Sequence, residues 1–223
     1  IFRPKDHHTR FNNTARRMCV PETDYDTFIS ALEELIKLDH NWVPKKQGTA
    51  LYIRPFIFAS DDLLAARSSS KFSYYIITSP VGAYYAEGFN PVKLTTTDEF
   101  VRAVEGGTGE AKTAGNYAAS FLPAQKAQEE GYTQVLWLDA RERKYIEEVG
   151  TMNIHFLIGD KLVSPGLFGS ILPGVTRRSV LALAKEWGLT VEERRVTIDE
   201  IFEAHKDGSL KEVFGSGTAA VIS

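Results

Sequence analysis

The spacing of apolar positions predicts one amphipathic helix and two strands in the first third of the chain. Four apolar residues recur at helical spacing between positions 24 and 39, namely Phe28, Leu32, Leu35 and Ile36. Asp24 or Asp26 can cap that helix. Aromatic and β-branched residues dominate 50–59 and 72–78, which predicts strands there. Residues 1–22 are polar and basic, and their pattern predicts no element.

Strand and helix patterns alternate in the second half of the chain, which is typical of an α/β domain. Strands are predicted at 134–138, 153–158, 189–196 and 212–214, and helices at 116–129, 175–187 and 198–206. The polar segment between the two halves contains Gly88, Asn90 and Pro91, which favour a linker. We therefore predict a mixed α/β chain with a first domain at 1–86, a linker at 87–96 and a second domain at 97–223.

Composition narrows the class of protein without identifying it. A hydrophobic fraction of 43%, a charged fraction of 25% and a net charge of −3 are typical of a globular protein with no general attraction to nucleic acid or to an anionic membrane. The single cysteine, Cys19, precludes an intrachain disulfide and fits a reducing compartment, so we expect a cytoplasmic protein. The chain starts at Ile1 without Met, and 218–223 has the pattern of an interrupted strand. We expect truncation at both ends.

One lysine stands out in the glycine-rich segment 106–117. The segment contains four glycines, and Lys112 is its only long cation. Small residues leave room for a flat ligand beside the amine, and an amine withdrawn from water can act as a nucleophile. The alternative is a solvated lysine in an ordinary loop.

The same segment nearly matches a nucleotide-binding P-loop. Lys112 and Thr113 occupy the final positions of G-x-x-x-x-G-K-[ST], but Ala111 replaces the second glycine. The preceding residues 97–105 are charged and helix-like, whereas a P-loop follows a buried strand. The sequence therefore disfavours nucleotide hydrolysis.

Two other segments are suited to an anion, and one carboxylate is suited to a cation. Residues 172–178 precede an apolar helical face, so their N–H groups and the hydroxyl of Thr176 can receive phosphate. The glycine-rich turn 215–218 can form an anion-binding concavity. Glu148 leads into an apolar strand and can face a ligand cation there. An ordinary helix start, a hairpin turn and a surface charge are the alternatives, yet together these features indicate a phosphorylated small molecule.

The ordered motifs at 106–117, 148–153, 172–177 and 214–219 resemble those of branched-chain amino acid aminotransferases. Segments 9–21, 52–55 and 80–84 are similar to the same family. The resemblance implies a two-domain fold-type IV enzyme that uses pyridoxal 5′-phosphate (PLP) and forms a homodimer. The small domain would be incomplete at its N-terminus and the large domain at its C-terminus.

The resemblance also implies roles for individual residues. Lys112 matches the lysine that forms a Schiff base with PLP and then moves a proton, while Glu148 matches the carboxylate that faces the pyridine nitrogen. Tyr117 matches the tyrosine bonded to the phenolic oxygen. The implied phosphate ligands are Arg10, Val175 through its backbone, Thr176 and Thr218. The implied substrate contacts are Tyr52, Arg54, Tyr84 and the backbone of Thr218 and Ala219.

The implied reaction transfers the amino group between leucine, isoleucine or valine and 2-oxoglutarate. The resemblance implies small-molecule substrates and no metal, and the charge balance leads us to expect no nucleic-acid or membrane partner. Three alternatives remain at this point: a D-amino acid aminotransferase, an aminodeoxychorismate lyase and a non-catalytic homologue. The motif at 52–55 and the run from Gly106 to Lys112 favour the branched-chain family.

Overall fold

The computed structural model describes residues 1–82, 91–219 and 221–222. The chain divides into two compact units, Ile1–Ala86 and Glu87–Ser223. The first unit contains helices α1 (Pro4–Arg17) and α2 (Tyr25–Leu38), a 3-10 turn (His40–Trp42) and strands β1 (Ala50–Ala59) and β2 (Phe72–Val81).

The amphipathic helix predicted at 24–39 is confirmed as α2. Asp24 caps it, because its carboxylate accepts a hydrogen bond of 2.8 Å from the backbone N–H of Thr27. Phe28 and Leu32 form its buried side. The predicted strands are also confirmed: β1 and β2 pair as an antiparallel hairpin, and β2 continues to Val81.

Helix α1 was not predicted, because its apolar residues are too sparse for an amphipathic pattern. It is stabilised by contacts outside the helix instead. The ring of Phe11 packs against the rings of Phe28 and Tyr74, with centroid separations of 6.1 and 5.8 Å. Asn12 donates a 2.8 Å hydrogen bond to the carbonyl of Thr23.

The second unit contains three helices and eight strands among the residues that the structure describes. The helices are α3 (Ala114–Glu129), α4 (Val175–Glu186) and α5 (Ile198–Lys206). The strands are β3 (Leu94–Thr95), β4 (Gln134–Leu138), β5 (Ile146–Val149), β6 (Met152–Ile158), β7 (Lys161–Pro165), β8 (Thr190–Arg194), β9 (Leu210–Gly217) and β10 (Val221–Ile222).

These strands form one mixed sheet in the order β10-β9-β6-β5-β4-β3, and β7 pairs with both β6 and β8. The pairs β3–β4 and β7–β8 are parallel, and the others are antiparallel. The sheet packs against helices through Trp137 with Ala127, and through Leu162 with Leu181. None of the helices in the described ranges has both the length and the apolar character needed to cross a membrane.

The alternating pattern predicted the helices of this unit and four of its eight described strands, namely β4, β6, β8 and β9, with small shifts of their ends. Strands β5 and β7 were missed. Strand β5 is only four residues long and carries two carboxylates. Its polar residues predict an exposed segment, whereas all four residues are buried. Strand β3 lies inside the segment predicted as a linker, where it pairs with β4.

Candidate active site

A buried carboxylate lies in the middle of the second unit's sheet. Glu148 belongs to β5, and only 3% of its surface is exposed. Its Oε1 accepts a 2.8 Å hydrogen bond from the backbone N–H of Leu172 and lies 3.4 Å from Nη2 of Arg102. The carboxylate is therefore held by one neutral donor and one cation.

Burial raises the pKa of Glu148 to about 7, because the ionised form loses its hydration. The charge of Arg102 opposes this rise most strongly, followed by the Leu172 N–H and, more weakly, the charge of Lys112. Glu147 beside it raises the pKa further. A ligand cation placed against Glu148 would favour its ionised form, because opposite charges lower a carboxyl pKa.

Arg102 connects Glu148 to the two loops around it. Its side chain is buried, and Nη2 donates to the carbonyl oxygens of Ser170 and, at 3.4 Å, Gly109. No sequence pattern indicated this role, since Arg102 is one charge among several in segment 97–105. The close approach explains Gly109, because a Cβ there would collide with the Ser170 carbonyl.

Lys112 lies in the loop just before α3. Its Nζ donates a 2.8 Å hydrogen bond to Oη of Tyr117 and lies 5.2 Å from the centre of that ring. Asn116 fixes the loop, because its amide donates 2.7 Å hydrogen bonds to the carbonyls of Thr108 and Ala111. The Lys112 side chain is exposed, so the amine is accessible to a ligand.

A recess on the second unit lies between Glu148 and Tyr117. It is lined by Arg102, Ala111, Asn116, Tyr117, Ser120, Glu148, Gly150, Thr151 and Leu172. Tyr117, which holds the amine, and Glu148 thus face the same small space. In the described parts of the chain, no three His, Cys, Asp or Glu side chains converge as they would around a metal ion.

Register pairing aligns Glu148 with the two segments predicted to bind an anion. Asn153 of the central strand β6 pairs with Glu148 of β5 on one side and with Ser216 of β9 on the other side. The Asn153 amide donates a 2.9 Å hydrogen bond to the Leu172 carbonyl, which ties the loop before α4 to this row. Gly174 passes so close that a Cβ would collide with Oδ1 of Asn153.

The segment at 172–178 does precede a helix. Gly174 is the N-cap residue of α4 and makes no side-chain cap hydrogen bond, while Val175 and Thr176 begin the first turn. The N-terminus of a helix attracts anions through its backbone N–H groups and its dipole. Thr218 and Ala219 form an exposed turn directly after β9. The anion-binding roles of these residues stay predictions.

The other predicted site residues lie on the first unit or outside the described residues. Arg10 is half-buried in α1, with Nη2 3.4 Å from Nδ1 of His7. Arg54 and Tyr52 are neighbours on β1, where the guanidinium lies 5.1 Å from the tyrosine ring. Tyr84 lies outside the described residues. The substrate roles of these residues also stay predictions.

Comparisons with known proteins identify related chains. The family model described as amino-transferase class IV matches residues 1–222. The branched-chain-amino-acid aminotransferase 2 of Bacillus subtilis is 54% identical over 223 residues, which are 100% of this chain and 61% of the relative. The chain thus spans about three fifths of the length of that curated relative.

Solved structures share the fold. The Escherichia coli branched-chain amino acid aminotransferase superimposes with a TM-score of 0.82 at 28% identity, over 100% of this chain and 70% of that one. A T.th. branched-chain amino acid aminotransferase, complexed with N-(5′-phosphopyridoxyl)-L-glutamate, superimposes with a TM-score of 0.81 at 27% identity. The match covers 99% of this chain and 68% of that one. These findings confirm the resemblance and the predicted fold class.

Proposed function

The chain belongs to the amino-transferase class IV family, and from that membership we propose that it is a PLP-dependent aminotransferase of branched-chain amino acids. One observation supports this most strongly. An accessible lysine amine is hydrogen-bonded to Tyr117, and Tyr117 lines the same recess as the buried carboxylate of Glu148. The names of the related chains supply the substrate class.

The residues of the recess fit PLP. Glu148 is buried, and burial holds its pKa near 7, so it gains most from a partner cation such as a protonated ring nitrogen. Lys112 would hold the cofactor covalently through Nζ, and Tyr117 would bond its phenolic oxygen. We propose Arg10, Val175, Thr176 and Thr218 as the phosphate ligands. When bound, PLP supplies a ring that withdraws electrons from the amino acid's α-carbon.

We propose Lys112 as the general base of the reaction. In our proposal, Nζ would remove the proton from the α-carbon of the amino acid and, in the second half-reaction, would donate a proton to the carbon that was the carbonyl carbon of the 2-oxo acid. Tyr117 positions this amine, because its hydroxyl accepts the Nζ hydrogen bond. Next to a protonated ring nitrogen, Glu148 would be ionised and would stabilise the positive charge.

We propose leucine, isoleucine and valine as amino donors and 2-oxoglutarate as the acceptor. Tyr52 and Arg54 supply an aromatic wall and an exposed cation, which suit an apolar side chain and a second carboxylate respectively. Tyr84 and the backbone of Thr218 and Ala219 complete the proposed substrate contacts. The T.th. relative was solved with a phosphopyridoxyl-glutamate ligand, which supports glutamate as one partner of the reaction.

We also propose that units Ile1–Ala86 and Glu87–Ser223 correspond to the small and large domains of the family. We also propose a homodimer, which the resemblance implies, and a cytoplasmic location, which the single cysteine fits. Sedimentation of the purified protein with and without PLP measures the first of these.

The test compares Lys112→Ala with Lys126→Ala. Lys126 is an exposed lysine of α3, paired with Glu99 at 2.9 Å, and provides the matched control. After incubation with PLP and borohydride reduction, mass spectrometry should find the cofactor mass on Lys112 in the wild type and in the control. Transamination of L-leucine with 2-oxoglutarate should disappear only in Lys112→Ala.

Two results would overturn the proposal. One is cofactor attachment at a different lysine, and the other is full activity of Lys112→Ala. Turnover of D-amino acids in preference to L-leucine would instead assign the chain to another activity of the same fold.

A further inference from the structure

A histidine with no role so far contacts the end of β9, just before the proposed phosphate turn. His155 of β6 is 0% exposed, and its Nε2 lies 2.9 Å from Oγ of Ser216, which is itself buried. Its ring stacks on Phe214 with a centroid separation of 5.0 Å and an interplanar angle of 23°. Among the described residues, its Nδ1 has no hydrogen-bond partner.

This hydrogen bond holds the end of β9 that leads into the turn. Ser216 precedes Thr218 by two residues and stands opposite Asn153 in the strand register. Asn153 holds the Leu172 carbonyl, which belongs to the loop before α4. The side chains of His155 and Asn153 therefore fix the turn after β9 and the loop before α4 from the same strand.

The environment of His155 keeps the imidazole neutral. Burial and, secondarily, the positive charge of Arg177 lower its pKa to about 3. Arg177 belongs to the first turn of α4, and its Nη2 donates 2.9 Å hydrogen bonds to the Pro165 carbonyl and the Glu193 carboxylate. A neutral imidazole keeps one donor and one acceptor nitrogen, so it can bond a hydroxyl at any pH at which the fold is stable.

A purely structural role would be served better by an apolar ring. Burying an imidazole with one unsatisfied nitrogen has a desolvation cost that phenylalanine avoids. The hydrogen bond that offsets part of this cost within the described chain is the one to Ser216.

We propose that His155 is a positioning residue for the cofactor phosphate: through Ser216 it holds the end of β9, and with it Thr218, in the conformation that receives the phosphate. This inference rests on the proposed function. It concerns the phosphate group alone, so removal of His155 should affect PLP and spare pyridoxal, which lacks the phosphate.

The experiment measures dissociation constants of PLP and pyridoxal for the full chain by absorption titration. His155→Phe keeps an aromatic ring against Phe214 and loses the hydrogen bond. It should weaken PLP binding about 10-fold, the equivalent of one hydrogen bond, and leave pyridoxal binding unchanged. Ser216→Ala should have the same effect, and the double variant should lose no more than either single one.

Two further variants separate positioning from folding. His155→Gln can still bond Ser216 and should restore most of the PLP affinity. Ser164→Ala removes another buried hydroxyl, which donates a 3.1 Å hydrogen bond to the Ile154 carbonyl. This variant should bind PLP and pyridoxal with the same affinity as the wild type. Because Ser216→Ala is a small change at a single atom, it tests the proposal even when His155→Phe does not fold.

Equal weakening of PLP and pyridoxal in His155→Phe and Ser216→Ala overturns this inference and leaves the aminotransferase proposal intact. Additive losses in the double variant overturn it as well. A wild-type chain that binds neither ligand overturns the proposed function first, so the two failures are distinguishable.

Discussion

Lys112 and Tyr117 form a hydrogen bond of 2.8 Å between Nζ and Oη, and the same amine lies 5.2 Å from the tyrosine ring centre. Tyr117 is in the first turn of α3, so a helix holds the hydrogen-bond partner of an exposed lysine. The amine is thereby oriented before any ligand binds. Preorganisation of this kind lowers the cost of reaching a reactive geometry.

Tyr117→Phe tests this orientation, because it keeps the ring and removes the hydroxyl. We expect kcat for L-leucine and 2-oxoglutarate to fall roughly 10- to 100-fold, the equivalent of one hydrogen bond to a charged group. Tyr132→Phe is the control, since that ring packs against the cluster of Ala127, Val135 and Trp137. Equal kcat values for the two variants would contradict the assignment.

Glu148 makes the stability of the cofactor-free protein depend on pH. Its folded pKa of about 7 lies above the ordinary value of 4.5, so the folded state binds more protons than the unfolded chain between these values. The contribution of Glu148 to the free energy of unfolding should therefore fall by about 2 kcal/mol from near pH 4 to near pH 6. Relative to the wild type, Glu148→Gln should become more stable over this range in urea denaturation.

The control for Glu148→Gln is Glu186→Gln, at an exposed position of α4. The difference in free energy of unfolding between Glu186→Gln and the wild type should not vary with pH. In activity assays Glu148→Gln should also lose roughly 100-fold in kcat, because the ring loses its charged partner. A pH-independent stability difference for Glu148→Gln would refute the raised pKa.

His155 changes the pH dependence of the free energy of unfolding in the direction opposite to that of Glu148. Its folded pKa of about 3 lies below the ordinary 6.5, so the unfolded chain binds the extra proton as pH falls through this range. The His155 contribution to the free energy of unfolding should thus decrease by about 2 kcal/mol between pH 7 and about pH 5. His155→Gln lacks this dependence, and urea denaturation at the two pH values measures the difference. A parallel pH response of variant and wild type would argue against a neutral, buried imidazole.

Arg102→Met should destabilise the fold and raise the pKa of Glu148 further. The substitution removes the cation paired with Glu148 and leaves the Ser170 carbonyl without its donor. Breaking a buried ion pair costs about 3–5 kcal/mol. Arg141→Met, at an exposed position, is the control. A decrease in the free energy of unfolding of less than about 1 kcal/mol, measured by chemical denaturation, would show that the Arg102–Glu148 pair contributes little to stability.

Gly174→Ala tests the packing at the start of α4. The backbone there has φ −65° and ψ 138°, which alanine adopts freely, so any effect comes from the collision of Cβ with Asn153. We expect a destabilisation of about 1–3 kcal/mol and weaker PLP binding than in the wild type. Gly115→Ala is the matched control, because a Cβ in that first turn of α3 meets nothing within 4 Å. Thermal unfolding should separate the two variants.

Helices with a clear amphipathic stripe could be predicted from the sequence, as α2 shows through Phe28 and Leu32. Helix α1 could not, because its stabilising contacts come from rings and carbonyls far along the chain, such as the ring of Tyr74. Local patterns contain no information about such partners.

Strand β5 was missed for a different reason. Glu147 and Glu148 are adjacent in a strand whose four residues are all buried. A prediction based on the polar pattern would place such a pair of carboxylates at the surface. The local rule fails there because Arg102, Ser170 and Leu172 compensate the carboxylates. Such failures are expected at functional sites. Lys112 and Glu148 were predicted as site residues, whereas Arg102 and His155 were recognised only from their contacts.

The row formed by Glu148, Asn153 and Ser216 has a consequence for the order of folding events. Glu148 and Asn153 belong to a tight hairpin, which closes within microseconds. The contact between His155 and Ser216 spans 61 residues, so β9 must dock across a long loop whose closure entropy slows the step. We therefore expect the carboxylate end of the row to assemble early during refolding, and the turn after β9 to acquire its final shape later, when β9 docks on β6.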